Sequence, residues 1–285
     1  MTDPHAVLRM AAWAALVTPS GPATSPVHAG ATVERLRRAL KWTNRRLGEF
    51  SPLPEAAHAV ADSPVEILER RNTLRVCAAL MNGVAQRQGL QLRTLALVDA
   101  ARIGRIAAFQ LKGMWDLSRG VRIFVAPNIW SEARRYELDQ TDWSRWVTLR
   151  TSLNAAHHVH APFLEDHLIA LLLGLPHTGE ELARFTLLSN CLARAEMQAL
   201  TTVDMPSLGW IRSHDGDVVE SAYATVLNAL TGGAVNMVVA GRQCQHFAQT
   251  VVDQGMVTEL LDSPRTLPSL EEYADPQRWV RRVGR

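Results

Sequence analysis

The chain has 285 residues, of which 47% are hydrophobic and 20% charged, with a formal net charge of +2. Such a composition excludes wholesale disorder, and so small a charge excludes a surface built to track nucleic-acid phosphates. The length allows one large domain or two small ones, and the absence of internal repeats or a low-complexity linker favours one, spanning 1–285.

The elements expected in chain order begin with an apolar segment from Ala6 to Val17. Asp3 precedes it and Arg9 interrupts it, so it reads as a short helix and not as a signal peptide. Thr18-Pro19-Ser20-Gly21-Pro22 breaks it. A second helix is expected after Ala29-Gly30, with Val33, Leu36, Leu40 and Leu47 on one stripe and a wet arginine face running from Arg35 to Arg46. Gly48 and Ser51-Pro52-Leu53-Pro54 stop it. Asp62-Ser63-Pro64-Val65 predicts another helix start, running to about Gln88. The middle changes period. Ile106–Leu111 and Val121–Val125 read as an antiparallel strand pair. Helices follow over Asn128–Tyr136, over Trp143–His158 capped by Asp142, over Pro162–Leu173, and over Leu182–Leu200 behind a capping box at Thr178–Glu181. Val218–Leu230 and Arg242–Leu261 are expected to be helical. A turn-rich tail from Ser263 precedes a last helix at Pro276–Val283. The parts are a helical N-terminal region (1–105), a hairpin with its neighbouring helices (106–200) and a helical C-terminal region (201–285), so the fold class is mainly α with a small β-sheet or hairpin.

Cys77, Cys191 and Cys244 form no C-x-x-C pair, which gives neither a disulfide framework nor a cysteine zinc site. They fit buried apolar positions in a reducing compartment. No apolar run reaches the roughly 18 residues of a membrane span, so the cytoplasm is the expected location.

Several phrases are similar to a bacterial family of zincin-like zinc metallopeptidases, some associated with deazaflavin-coenzyme biosynthesis. Val121-Arg-Ile-Phe-Val-Ala-Pro-Asn-Ile129 resembles that family's LLLVAPNI strand and turn. Trp146-Val-Thr-Leu149 and Pro162-Phe-Leu-Glu-Asp-His-Leu168 resemble its W-V-x-L and P-W-L-x-x-H-L, at the family's spacing. Ser263-Pro-Arg-Thr-Leu-Pro-Ser-Leu-Glu-Glu-Tyr-Ala-Asp-Pro-Gln-Arg-Trp-Val280 resembles its TSPETLPTxxEIADPxxWV ending. The resemblance implies a mainly helical, zincin-like domain with a small sheet beside the site helix, and in intact relatives a zinc ion.

Between the second pair of phrases the family carries H-E-x-x-H. Two histidines four apart share one helical face and can grip Zn²⁺, while the glutamate takes a proton from the bound water. Here those positions are Arg150, Thr151, Ser152, Leu153 and Asn154. Arginine has no lone pair to give, an amide oxygen is a poor zinc donor, and threonine is no base at neutral pH. A later family phrase, EGHAExxMDAV, falls on Leu188–Leu200, where the E-G-H positions carry no carboxylate and no histidine. The expectation is a vacated site with no metal, no cofactor and no catalytic residue.

Two replacements are conceivable. His157, His160 and His167 could gather a metal in a remodelled hydrolase, although Pro162 interrupts their helix and no glutamate follows as a base. Arg150 could pair with Glu196, so that an ion pair cross-braces two helices in place of the metal. Ser152 and His157 lack nucleophile–base spacing, no G-x-S-x-G elbow exists, and Trp130, Trp143, Trp146 and Trp210 lack the basic stripe of a nucleic-acid platform. The leading functional expectation is a catalytically inactive, pseudo-metallopeptidase-like protein that binds a peptide or protein partner, such as an intact relative. The others are a remodelled hydrolase and a structural subunit of a larger assembly.

Overall fold

The computed structural model of the protein describes residues 14–16, 18–87, 108–174, 177–215, 233 and 235–284. In chain order the elements are α1 (Pro26–Phe50), α2 (Pro54–Ala61), β1 (Val65–Leu68), α3 (Arg70–Arg87), β2 (Gly113–Asp116), β3 (Val121–Val125), α4 (Ala126–Arg135), α5 (Gln140–His160), α6 (Phe163–Leu173), α7 (Gly179–Glu196), α8 (Leu208–His214), α9 (Met237–Asp253), α10 (Val257–Leu260), α11 (Leu270–Ala274) and α12 (Pro276–Val283). The protein is mainly helical, with one small three-stranded sheet. The expected helices over Ala6–Val17 and Val218–Leu230 fall largely or wholly outside the described residues.

Helix α5 is the axis. It packs against α1, α2, α4, α6, α7, β2 and β3, and Trp143, Val147, Leu149, Leu153 and Ala156 are buried along it. A helix covered on so many sides needs no single apolar stripe. Its start differs from expectation. Asp139 is the cap, accepting from the N–H groups of Thr141 and Asp142 at 2.9 Å each. The Asp142 carboxylate instead accepts from the N–H and hydroxyl of Ser207, which ties the turn before α8 to α5.

The sheet also corrects the sequence reading. Its order is β1-β3-β2, with β1 parallel and β2 antiparallel to β3. Val65–Leu68, read as the start of a helix, is the parallel edge strand; the helix begins at Arg70. Val65 and Ile67 are β-branched, and pairing with β3 overrides the Asp62-Ser63-Pro64 start signal. The antiparallel partner of β3 is Gly113–Asp116 and not Ile106–Leu111, of which 108–110 form a helical turn and 106–107 lie outside the described residues. The β2–β3 turn is held by Asp116, which accepts from Ser118 and Arg119 N–H groups, and by Gly120 at φ +63°. Gly113 lets β2 cross α5 closely, since a Cβ there would stand 2.3 Å from the Thr151 hydroxyl.

Helix α1 starts at Ser25-Pro26, earlier than expected, because the Ser25 hydroxyl accepts from the His28 N–H and proline occupies the first turn. It runs past Gly48 to Phe50. Thr178 gives no side-chain cap to α7; its hydroxyl donates to the Leu171 carbonyl of α6. Helix α9 starts at Met237, where the Asn236 side chain accepts from Val239 N–H. The tail is a lock: a capping box joins Ser269 and Glu272, the fully buried Trp279 donates its indole N–H to the Thr266 carbonyl, and Arg282 grips Glu272 and two tail carbonyls. Cys191 and Cys244 are buried and Cys77 is half-buried; burial pushes their thiols up, that of Cys191 to about 12, so they are poor nucleophiles.

A fully buried cation sits at the centre of the N-terminal half. Arg122 of β3 is 0% exposed and, among the described residues, pairs with no carboxylate. Its guanidinium donates to the Asn44 side chain at 2.8 Å, the Ser152 hydroxyl at 3.0 Å, the Ser63 hydroxyl at 3.1 Å, and the carbonyls of Ala61 and Ser63 at 3.3 Å each. Burial pushes it down to about 10, still protonated at neutral pH. We expect Arg122→Met to lower the unfolding free energy by about 3–5 kcal/mol, because it orphans buried acceptors on several elements. Urea denaturation measures this; a loss below about 1 kcal/mol contradicts the network's role.

Candidate functional site

The positions singled out by the motif comparison lie on successive turns of α5 and are all engaged. Arg150 donates from Nη1 to both carboxylate oxygens of Asp215, at 2.9 and 3.2 Å. Asp215 follows α8, and its side chain is 3% exposed. Arg194 of α7 reaches the same carboxylate through Nε at 3.4 Å. Thr151 is buried against Gly113. Asn154 donates from Nδ2 to the Ser189 carbonyl of α7 at 3.2 Å.

The expected Arg150–Glu196 pair does not form. Glu196 lies abreast of His157, whose Nε2 is 2.9 Å from Oε1. His157 is seven positions beyond Arg150, about 10 Å along a helix at 1.5 Å per residue, so Glu196 cannot serve both. Arg150 is nevertheless ion-paired, with Asp215, a partner whose place in the His214-Asp-Gly-Asp loop gave no sequence signal. Nor did spacing single out Arg194, which lies in the phrase aligned to EGHAExxMDAV.

The three candidate histidines are not brought together. His157 is buried on Glu196, and its Nδ1 and the Glu196 Oε2 have no partner among the described residues. His160 is exposed at the end of α5. His167 of α6 stacks edge-on against Phe185 at 5.0 Å and lines a separate groove of about 700 Å³ between α6, α7 and the tail. Among the described residues no group of three or more His, Cys, Asp or Glu side chains is arranged to hold a metal ion.

Beside the arginines stands Lys112, 2.8 Å from Glu132 and over the Trp143 ring at 6.0 Å. It lines a cavity of about 420 Å³ with Phe109, Asn128, Ser131, Glu132 and Tyr136. Burial pushes Lys112 down to about 8; the Arg150 charge adds to this and Asp215 opposes it. The Glu132 carboxylate pulls upward as well. The chain has two lysines, Lys41 and Lys112. After reductive ¹³C-methylation we expect one lysine resonance to titrate near pH 8, and Glu132→Gln to move it lower. Two lysines titrating at the ordinary value would contradict the placement.

His158 behaves differently from its neighbour. Burial, and secondarily His157, pushes it from 6.5 down to about 4. The unfolded chain therefore binds a proton at a pH where the folded chain resists it. The contribution of this imidazole to stability is complete above about pH 6.5 and is lost as pH falls toward 4. The urea midpoint should drop across that window, and His158→Gln should flatten the drop; an unchanged slope argues against a buried neutral imidazole.

No protein-family model matches the chain, and no curated protein matches it. The crystal structure of "a putative hydrolase with a novel fold" from Chloroflexus aurantiacus matches it with a TM-score of 0.72 and 17% identity, covering 100% of this chain and 99% of that one. The two proteins share a fold over their whole lengths; at that identity the likeness is one of fold. Among the described residues no helix is long and apolar enough to cross a membrane.

Proposed function

We propose that this protein is a zincin-like pseudo-metallopeptidase, acting as one unit over 1–285 and working by binding a peptide or protein partner instead of by hydrolysis. The observation that carries this reading is what occupies the α5 window. A metallopeptidase needs lone pairs converging on a dication and a carboxylate beside the metal-bound water. At the corresponding positions this chain has a guanidinium bonded to Asp215, a hydroxyl packed on Gly113 and an amide that braces Ser189. Arg150 and Arg194 already supply positive charge there, so a dication would meet repulsion on two sides. Zinc belongs to the intact relatives that the sequence resembles. The cavity beside Lys112 falls within the usual 300–1,000 Å³ range for small-ligand sites, and it supports binding in the vicinity of the ion cluster. A cytoplasmic location fits the three unpaired cysteines.

Elemental analysis and a peptidase assay test the proposal on the purified full chain. We expect no stoichiometric zinc and no peptide hydrolysis. Stoichiometric zinc, with peptidase activity that disappears on chelation, overturns it.

A metal-free hydrolase is the second reading. It is favoured by the whole-length fold match to a protein described as a hydrolase and by the buried His157–Glu196 dyad with its spare Nδ1. Hydrolysis that survives chelation and is lost in His157→Gln would select it.

A further inference from the structure

Among the described residues, the Arg150–Asp215–Arg194 cluster uses only part of the hydrogen-bonding capacity of its two guanidiniums. Arg150 spends only Nη1 on Asp215, and Arg194 only Nε. A guanidinium has five donors in a planar fork. The other nitrogens of both side chains are not among the buried polar atoms that lack partners, and the side chains are 20% and 24% exposed. Both guanidinium side chains are thus partly open to solvent, whereas Asp215 is enclosed.

The charge balance points the same way. Lys112 and Glu132 adjoin the cluster, and Lys112 feels both Arg150 and Asp215. Arg135 lines the same cavity, so Arg150, Arg194, Lys112 and Arg135 outnumber Asp215 and Glu132 and the region is net positive. Lys112 also forms part of the wall of the 420 Å³ cavity, where Phe109 and Tyr136 add aromatic surface. Partly exposed guanidiniums with further donors in a net-positive region are suited to an anionic group.

We propose that the Arg150–Arg194 pair is a receptor for a ligand carboxylate, with Asp215 as a resident carboxylate that orders the two guanidiniums. This inference rests on the binding reading above and names the chemistry of the ligand. The carboxylate can come from a peptide C-terminus or from a small organic acid.

The test is calorimetric titration of the full chain with benzoate, benzamide, N-acetyl-alanyl-alanine, its C-terminal amide and inorganic phosphate. We expect a carboxylate to bind about tenfold or more tighter than its isosteric amide, the size of one charge-assisted hydrogen bond. Preference for the dipeptide acid over benzoate identifies a peptide terminus as the source; the reverse identifies a small acid. Arg194→Gln should remove the acid-over-amide preference while keeping the Arg150–Asp215 pair. Asp215→Asn should strengthen carboxylate binding, because it removes the resident anion; a purely structural ion cluster predicts no gain. If that variant fails to fold, Arg194→Gln still decides. Acid and amide binding alike, no binding of either acid, phosphate binding tighter than both acids, or an Arg194→Gln variant that keeps the preference each overturn the proposal. Equal binding of the dipeptide acid and amide would remove the carboxylate receptor yet leave peptide binding standing. Zinc-dependent hydrolysis by the purified chain would remove the pseudoenzyme reading, independently of these titrations.

Discussion

A buried guanidinium without a counter-ion organises the N-terminal half of this protein. Five N–H groups on Arg122 meet five neutral oxygens, supplied by α1, by the segment from Ala61 at the end of α2 to Ser63 before β1, and by α5. Removing a cation from water costs several kcal/mol, and only a full set of partners offsets that. The network is consequently intolerant of displacement. If α5 rotates or slides, Ser152 leaves the cation; if β1 shifts, the Ser63 contacts fail. The parallel pairing of β1 with β3 starts at the same residue, where the Arg122 main-chain N–H donates to the Pro64 carbonyl at 3.0 Å. One residue thus ties the sheet edge through its main chain and the helices through its side chain.

That constraint divides α5 into two faces. Ser152 lies two residues, about 200°, from both Arg150 and Asn154 at 100° per residue. One side of the helix is held by Arg122, and the other presents Arg150 and Asn154 toward α7 and the end of α8. A metal ion at such a place would draw ligands from several elements and bind them together. Here the ion cluster performs that mechanical task, with Asp215 bridging α5 and α7 through two arginines. The substitution is not equivalent. A dication accepts lone pairs and activates water; a guanidinium only donates, and it stabilises anions. A guanidinium cluster at such a place offers stabilisation of anions and no electrophilic activation of water.

The sequence revealed local signals well and long-range partners poorly. Pro276–Val283 was legible because Asp275-Pro276 is a strong helix start and the stretch has few competing pairings. The position of α5 was legible because it carries the motif-like window. Val65–Leu68 was misread, because its strand character comes from Arg122 and β3, more than fifty residues away, while Asp62-Ser63-Pro64 advertises a helix. Gly113–Asp116 was hidden by its shortness and by a glycine whose role appears only when Thr151 lies against it. The partner of Arg150 illustrates the same limit. Glu196 was the nearest acid in the relevant phrase, but helical rise puts it beside His157, and the carboxylate that fits comes from a loop with no periodic signature. Pair identity is a property of packing.

The phrases most similar to the zinc peptidases contribute to scaffold more than to chemistry. Trp279 packs on Phe247 with ring centroids 5.4 Å apart, Ser269 and Glu272 cap α11, and Arg282 closes the tail on Glu272. Asn128, in the phrase after β3, donates to the carbonyls of Ala108 and Leu111 and accepts from Arg70, so it fixes the approach to β2. Each of these residues satisfies buried polar groups or fills core volume, and substitution there endangers folding itself. The window on α5 is under a weaker demand. Its accessible face must only avoid unpaired buried charge, and a guanidinium with a nearby carboxylate meets that condition as well as a metal with its ligands. Fold stability therefore constrains the tail and the β3 phrase more closely than it constrains which charges stand on the accessible side of α5, and fold and site chemistry are separable in that sense.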